Sequence, residues 1–148
     1  MIIATILDES GSMASIKEST ISGFNEFIEE RKKDLETNDK VLTNFIKIIF
    51  NTSARKDEYN HIDNVEALNN DNYNPSGMTA LYDAIGIGLD CIKDNKDDEI
   101  WFIIITDGLE NRSMIYEKRQ IKEMIQKYKG YKNWNFMFCG ANQDSYLS

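Results

Sequence analysis

Four short runs of apolar residues stand out along the chain, and they predict the strands of a β-sheet. The runs cover residues 2–7, 45–50, 100–105 and 134–139. The first and third runs are nearly continuous and rich in isoleucine, which is typical of central strands buried on both faces of a parallel sheet. The second run contains Lys47, which favours a position nearer the edge of the sheet.

The segments between these runs predict one further strand and three helices. Residues 54–59 alternate weakly between apolar and polar, which predicts a short antiparallel edge strand. Apolar residues recur at steps of three and four over residues 16–35, 81–92 and 114–128, which predicts three amphipathic helices. Gly130 is expected to be the C-cap of the third helix.

The order of these elements predicts an α/β fold: a doubly wound, mostly parallel open sheet with one short antiparallel edge strand. Residues 62–72 are rich in Asn and Asp and predict only a short helix followed by a loop. We find no internal repeat or linker, so residues 1–148 are expected to form a single domain. In such sheets ligands bind beyond the carboxyl ends of the strands, which directs attention to the loops after Leu7 and Ile105.

Composition and charge change this picture in a few ways. The formal net charge of -8 repels phosphate backbones, so we expect no broad nucleic-acid-binding surface. The apolar runs are too short for a signal peptide or a membrane anchor, so we expect no membrane association and a cytoplasmic location. The two cysteines, Cys91 and Cys139, are expected to be reduced and to lie on apolar faces.

Oxygen-bearing side chains follow both of the predicted central strands. Asp8, Ser10 and Ser12 come directly after the first strand, with Gly11 permitting a bend, and Asp107 follows the third apolar run. If the two strands are neighbours, the two carboxylates converge, and they then need a cation unless one of them holds a proton.

A third loop, residues 74–80, precedes the second predicted helix and supplies the hydroxyl of Thr79. Oxygen ligands without nitrogen or sulfur favour Mg²⁺, or Mn²⁺ or Ca²⁺, over zinc. The Pro75-Ser76-Gly77 stretch is not a phosphate-binding P-loop, because the Lys-Ser/Thr ending is absent.

Three motifs together resemble the metal-ion-dependent adhesion site of the von Willebrand factor A family. They are Asp-x-Ser-x-Ser followed by Met at residues 8–13, Gly77-Met78-Thr79 before a helix, and Thr106-Asp107-Gly108 after an apolar strand. The resemblance covers essentially the whole chain in the order typical of the family. Longer strings at residues 22–25, 106–111 and 140–144 resemble a bacterial and phage branch of small cytosolic A domains.

This resemblance implies both a ligand set and a function. Ser10, Ser12 and Thr79 would be hydroxyl ligands of one divalent metal, while Asp8 and Asp107 would bind it directly or through water. An acidic side chain of a protein partner would then complete the coordination, so the resemblance implies a protein-interaction module and not an enzyme.

The resemblance also implies an expectation about the end of the chain. The family generally continues into a further helix after the last strand, whereas this sequence stops at Ser148. We therefore expect the final C-terminal helix to be lacking. Either the sequence is a truncated form, or that face of the sheet is covered by a partner or by a second copy in a homodimer.

Other interpretations of the same residues stay open. Ser10 or Ser12 could be a helix N-cap, and Gly77 and Thr79 a turn and a cap. The protein could be a Mg²⁺-dependent phosphohydrolase with Asp8 as nucleophile, although such enzymes usually place a second Asp where Ser10 stands. It could also be a structural A domain that never binds metal.

Four further titratable residues are expected to have no part in the chemistry. His61 is the single histidine and lies in a polar segment, which predicts an exposed loop residue. Glu9, Glu110 and Asp144 are expected to be solvated surface residues.

Overall fold

The computed structural model describes residues 1–37, 43–107 and 110–140. Its strands are β1 (Ile2–Asp8), β2 (Asn44–Phe50), β3 (Ala54–Tyr59), β4 (Ile100–Ile105) and β5 (Trp134–Cys139). In this part of the chain they form one sheet in the order β3-β2-β1-β4-β5. All neighbours are parallel except β3, which is antiparallel to β2 at the edge. The predicted mostly parallel α/β sheet with an antiparallel edge strand is confirmed.

Three α-helices and two short 3₁₀ helices connect the strands in the described residues. They are α1 (Lys17–Thr37), α2 (Leu81–Ile92), α3 (Lys118–Lys129) and the 3₁₀ helices Gly11–Ile16 and Ile62–Asn64. The predicted helices are confirmed, but the prediction that the third begins at Met114 was wrong. A capping box between Glu117 and Gln120 begins α3 four residues later. Gly130 is its C-cap, as expected.

The helices cover both faces of the sheet and bury two apolar cores. One core lies under α2 and α3 and includes Ile6 and Phe102, and the other lies under α1 and includes Leu7 and Ile103. Every residue of β1 is buried, with successive side chains entering opposite cores. This confirms that β1 is a central strand, and it makes the carboxyl end of β1 one of the best-fixed points of the fold.

Lys47, whose charge in the sequence favoured a position of β2 nearer the edge of the sheet, is buried. Lys47 is 4% exposed, and its ammonium group lies 3.9 Å from the carboxylate of Asp57 on the edge strand β3. β2 lies next to the edge strand, as the sequence suggested, so the side chain of Lys47 reaches an acidic partner on β3, the residue Asp57 directly opposite it.

A groove of about 280 Å³ lies between α1 and strands β4 and β5. Its lining includes Phe24, Phe27, Met137 and Cys139. Both cysteines are free; Cys91 packs against the core under α2, and Cys139 is exposed. The expected lack of a final helix concerns residues 141–148, which lie outside the described residues.

None of the helices in the described ranges combines the length and the apolar character that crossing a membrane requires.

Candidate metal centre

The sheet brings the two aspartate loops to the same edge. β1 and β4 are parallel neighbours, with Leu7 opposite Ile105. Asp8 is the last residue of β1, and Asp107 follows β4 after one intervening residue. The condition on which the aspartates would converge, that these two strands are neighbours, is therefore met, and both aspartates lie at the carboxyl end of the sheet, where doubly wound folds bind ligands.

The carboxylate of Asp8 is buried and fixed by hydrogen bonds. The residue is 0% exposed, its Oδ1 accepts a bond from the backbone amide of Ser10 at 2.7 Å, and its Oδ2 accepts one from the hydroxyl of Thr106 at 2.7 Å. Burial raises the pKa of this carboxyl above its ordinary value, although both hydrogen bonds act in the opposite direction and the charge of Asp107 adds to the rise. A cation bound nearby would stabilise the charged form of this carboxylate.

Three oxygens converge beside Asp8. The Ser12 hydroxyl donates a hydrogen bond to Asp107 Oδ1 at 3.1 Å, and the hydroxyls of Ser10 and Ser12 lie 3.2 Å apart. Ser10 occupies the N-cap position of the 3₁₀ helix, but its side chain makes no capping hydrogen bond. Ser10 is therefore the N-cap residue and its amide donates to Asp8, as the alternative interpretation held, but the Ser10 hydroxyl contacts Ser12 in place of a helix amide.

The loop that carries Thr79 lies against the loop that carries Ser10 and Ser12. The backbone amide of Gly11 donates to the carbonyl of Gly77 at 3.0 Å, so the two loops lie against each other. Gly77 has a φ of 78°, and a Cβ there would lie 2.8 Å from the hydroxyl oxygen of Thr52. The position therefore needs glycine.

The backbone of Thr79 is also held from the other side. Its amide donates to Asn111 Oδ1 at 2.8 Å, and its carbonyl accepts from the amide of Asn111 at 3.0 Å. Thr79 itself is buried. The structure thus places the Thr79 backbone between the loop of Gly11 and the loop that follows Asp107.

The spacing of these oxygens fits a small divalent cation. Mg²⁺ binds oxygen at about 2.0–2.1 Å in octahedral geometry, so neighbouring ligand oxygens are about 3.0 Å apart. The 3.1 and 3.2 Å separations at Ser12 are hydrogen-bond distances, and they are also compatible with the spacing of neighbouring ligands of such an ion. No group of three His, Cys, Asp or Glu side chains that could hold a metal occurs in the described part of the chain. The donors here are instead hydroxyls and two carboxylates, which suit a hard ion such as Mg²⁺.

Tyr73 supports the site and was missed in the sequence. Its hydroxyl donates to the backbone carbonyl of Asp8 at 2.5 Å, and burial raises the pKa of this hydroxyl. Tyr73 is fully buried under α1. The available signal was an aromatic residue standing alone in a polar stretch.

Glu9 was expected to be solvated, and that expectation was wrong. It is buried, its Oε2 accepts from the amide of Asn74 at 2.9 Å, and its Oε1 lies 3.5 Å from the guanidinium of Arg55. The backbone carbonyl of Glu9 also accepts from the amide of Ser76 at 2.9 Å. The charge is tolerated because a backbone amide and a cation both face it.

Two acidic side chains organise the loop after β4. The carboxylate of Asp83, in the first turn of α2, accepts hydrogen bonds from the amides of residues 114, 115 and 116 at 2.8, 2.9 and 2.9 Å. The carboxylate of Glu110 accepts from the amides of Tyr82 and Arg112. These contacts keep residues 114–116 out of α3, and they show that Glu110 has a structural role in place of the expected solvated one.

The remaining expectations have mixed outcomes. His61 is half-buried and not an exposed loop residue, because its Nδ1 accepts from the amide of Asp63 at 3.0 Å and caps the 3₁₀ helix Ile62–Asn64. Gly108 and Asp144 lie outside the described residues.

Comparisons with known proteins agree with the fold. No family model and no curated protein sequence matches the chain. Among solved structures, the ArnB paralog VWA2 from Sulfolobus acidocaldarius is similar with a TM-score of 0.61 and 15% identity, over 99% of this chain and 37% of that chain. A von Willebrand factor type A protein from Catenulispora acidiphila is similar with a TM-score of 0.59 and 15% identity, over 94% of this chain and 32% of that chain.

Proximal thread matrix protein 1 from the mussel byssus is similar with a TM-score of 0.58 and 19% identity, over 94% of this chain and 35% of that chain. The chain therefore spans about a third of the length of each of these three structures. At these identities the likeness concerns the fold alone. The protein has the fold of a von Willebrand factor A domain.

Proposed function

We propose that the protein is a divalent-metal-dependent protein-interaction module. One Mg²⁺, or Mn²⁺ or Ca²⁺ in its place, would be held by Asp8, Ser10, Ser12, Thr79 and Asp107. An acidic side chain of a protein partner would complete its coordination. The observation that carries the proposal is the convergence of the Ser10, Ser12 and Asp107 oxygens at the carboxyl end of the sheet, beside the buried carboxylate of Asp8.

The candidate metal site has a buried side and a side that is exposed to solvent. Asp8 and Ser10 are fully buried, and their hydrogen bonds orient the cluster. Ser12 is exposed and Asp107 is half-exposed, so a partner approaches from their side. The two carboxylates of the site would balance the charge of a divalent metal. The metal could still accept a partner carboxylate in place of a water ligand.

The phosphohydrolase alternative gains no support from the geometry. A nucleophilic Asp8 would need an oxygen directed at the substrate, but this carboxylate is 0% exposed and both of its oxygens accept hydrogen bonds. Ser10 stands where such enzymes usually have their general acid. A cytoplasmic location, in which both thiols stay reduced, is part of the proposal.

Titration with MgCl₂ by isothermal calorimetry tests the metal site. We expect saturable binding to the wild type and at least about ten-fold weaker binding to Asp107→Ala, because a charged ligand is lost. Ser19→Ala is the matched control: it removes a hydroxyl on α1 that donates to the carbonyl of Ile16 and has no contact with the cluster. Absence of Mg²⁺, Mn²⁺ and Ca²⁺ binding to the wild type would support the structural A domain instead. Turnover of an aryl phosphate that Asp8→Asn abolishes would support the enzyme.

A further inference from the structure

Large apolar side chains are exposed on two loops that are hydrogen-bonded to each other through Thr79 and Asn111. In the described residues, the exposed large apolar side chains are Met78 (48%), Met114 (78%), Ile115 (67%) and Met137 (41%). The first three lie in the segment that carries Thr79 and in the segment that follows Asp107. We call these three residues the apolar rim. Such exposure close to a polar site is typical of interaction surfaces.

The backbone of the apolar rim is held in place. Met114 and Ile115 donate their amides to the buried carboxylate of Asp83 at 2.8 and 2.9 Å. Ser113 is bound at the same time through its hydroxyl to Glu110. Hydrogen bonds to a charged acceptor are strong, so the segment presents its two apolar side chains in one backbone conformation. A surface ordered before binding loses less entropy when a partner binds.

Hydrogen bonds also fix the apolar rim relative to the metal site. Asn111 pairs with the backbone of Thr79, and Asp83 lies four residues after Thr79 in the first turn of α2. On the other side, the amide of Met78 donates to the hydroxyl of Thr52 at 3.2 Å. The apolar rim is therefore built on the same backbone that positions Thr79.

We infer that the apolar rim is the second half of the partner-binding surface, and that its occupant is a protein segment in which an acidic residue has apolar neighbours. This inference rests on the proposed function. The protein has a net charge of -8, so a merely acidic segment gains no long-range attraction from the chain as a whole and needs contacts besides the one with the metal. Apolar neighbours add affinity by burial, and they exclude water from the contact between carboxylate and metal, which strengthens that contact. Flexible Met side chains adapt to aliphatic or aromatic neighbours.

Three capped tripeptides test the inference: aspartate between two leucines, aspartate between two glycines, and asparagine between two leucines. Binding is measured by NMR titration of the wild type in excess Mg²⁺. We expect the leucine-flanked aspartate to bind about ten-fold more tightly than the glycine-flanked one, from partial burial of two side chains. The asparagine peptide is expected not to bind, because it lacks the charge.

The matched variants are the double substitution Met114→Ser/Ile115→Ser and the control Met137→Ser, which removes an exposed Met on β5. We expect the double variant to lose the preference for leucine while its Mg²⁺ affinity stays unchanged. Met137→Ser is expected to keep the preference.

Four results overturn the inference. Equal affinity of the two aspartate peptides, or a leucine preference that survives in the double variant, would contradict a role of the apolar rim in binding. Neither result would contradict the proposed metal-dependent function. Failure of both aspartate peptides to bind a protein that binds Mg²⁺ contradicts the proposed function itself. A dimer of the wild type in sedimentation velocity that the double variant lacks assigns the apolar rim to self-association.

Discussion

The carboxylate of Glu9 accepts a hydrogen bond from the backbone amide of Asn74 at 2.9 Å, across 65 residues of sequence. Glu9 stands between Asp8 and Ser10, whereas Asn74 begins the loop that leads to Thr79. Arg55 balances the charge of Glu9 at 3.5 Å. The contact therefore joins the two loops that would supply four of the five metal ligands.

We predict that Glu9→Ala weakens Mg²⁺ binding about ten-fold, because a hydrogen bond to a charged group contributes about 1.5–3 kcal/mol and part of this acts on the position of Thr79. Glu9→Gln retains an acceptor and should restore most of the affinity. Calorimetric titration of Glu9→Ala, Thr79→Ala and the double variant measures the coupling. If Glu9 acts through Thr79, its substitution has little further effect in the Thr79→Ala background; additive losses would contradict this.

The burial of Asp8 predicts a conflict between stability and metal binding. We expect Asp8→Asn to raise the melting temperature in EDTA, because it removes a desolvated charge but can keep acceptors and donors for Ser10 and Thr106. For a chain of 148 residues, about 1 kcal/mol corresponds to roughly 3–4 °C. Excess Mg²⁺ should raise the melting temperature of the wild type and leave that of the variant unchanged. A variant less stable than the wild type in EDTA would show that the buried carboxylate is well compensated without metal.

Lys47 is predicted to destabilise the protein at neutral pH. Burial lowers the pKa of its ammonium group below the ordinary 10.5, and attraction by Asp57 opposes the shift only in part. Arg55 adds to the lowering, whereas Glu66 and Glu9 oppose it. Replacement of the buried charge in Lys47→Met is expected to raise the free energy of unfolding by about 1–2 kcal/mol.

The pH dependence has a definite sign. Because the pKa is lower in the folded state, the folded protein binds this proton less tightly than the unfolded chain does. The difference between Lys47→Met and the wild type should therefore shrink as the pH rises towards 10.5. Urea denaturation at a series of pH values measures this. Lys56→Met is the control, since the Lys56 side chain is 43% exposed and pairs with Glu58 on the surface; a gain there as large as at Lys47 would rule out burial as the cause.

Two glycine substitutions should have opposite effects. Gly77→Ala forces a side chain into a left-handed conformation and against Thr52, so we expect a loss of about 1–2 kcal/mol and weaker Mg²⁺ binding through Thr79. Gly23→Ala lies within α1, where a Cβ meets nothing within 4 Å, and should stabilise the protein by up to about 1 kcal/mol. Thermal melts and Mg²⁺ titrations of both variants check this. A Gly77→Ala protein with wild-type metal affinity would show that the loop position does not depend on this turn.

The sequence was sufficient for features that depend on local pattern. Runs of isoleucine predicted β1 and β4, because a strand buried on both faces needs apolar side chains at every position. Adjacency of those strands then placed Asp8 and Asp107 at one edge, since parallel neighbours end together. The oxygen-rich loops could be found for the same reason.

The features that the sequence did not predict depend on distant partners. Glutamate is usually a surface residue. The buried charge of Glu9 is compensated by its contacts with Asn74 and Arg55, which are distant in the sequence. Met114 continues the helical spacing of α3, but Asp83 holds its amide outside the helix. A periodic pattern within one segment contains no information on such contacts, because the acceptor lies some 30 residues earlier in the chain.

The three backbone hydrogen bonds that the carboxylate of Asp83 accepts bear on how the sequence of this protein can vary. Asp83 binds only the backbone amides of residues 114–116, so these contacts do not depend on which side chains stand at positions 114 and 115. Those two positions are free to change between related proteins, or in a designed library, while the candidate metal ligands and the core stay as they are. If the apolar rim binds a partner as inferred above, exchange of these two residues would change the partner while the scaffold stays the same.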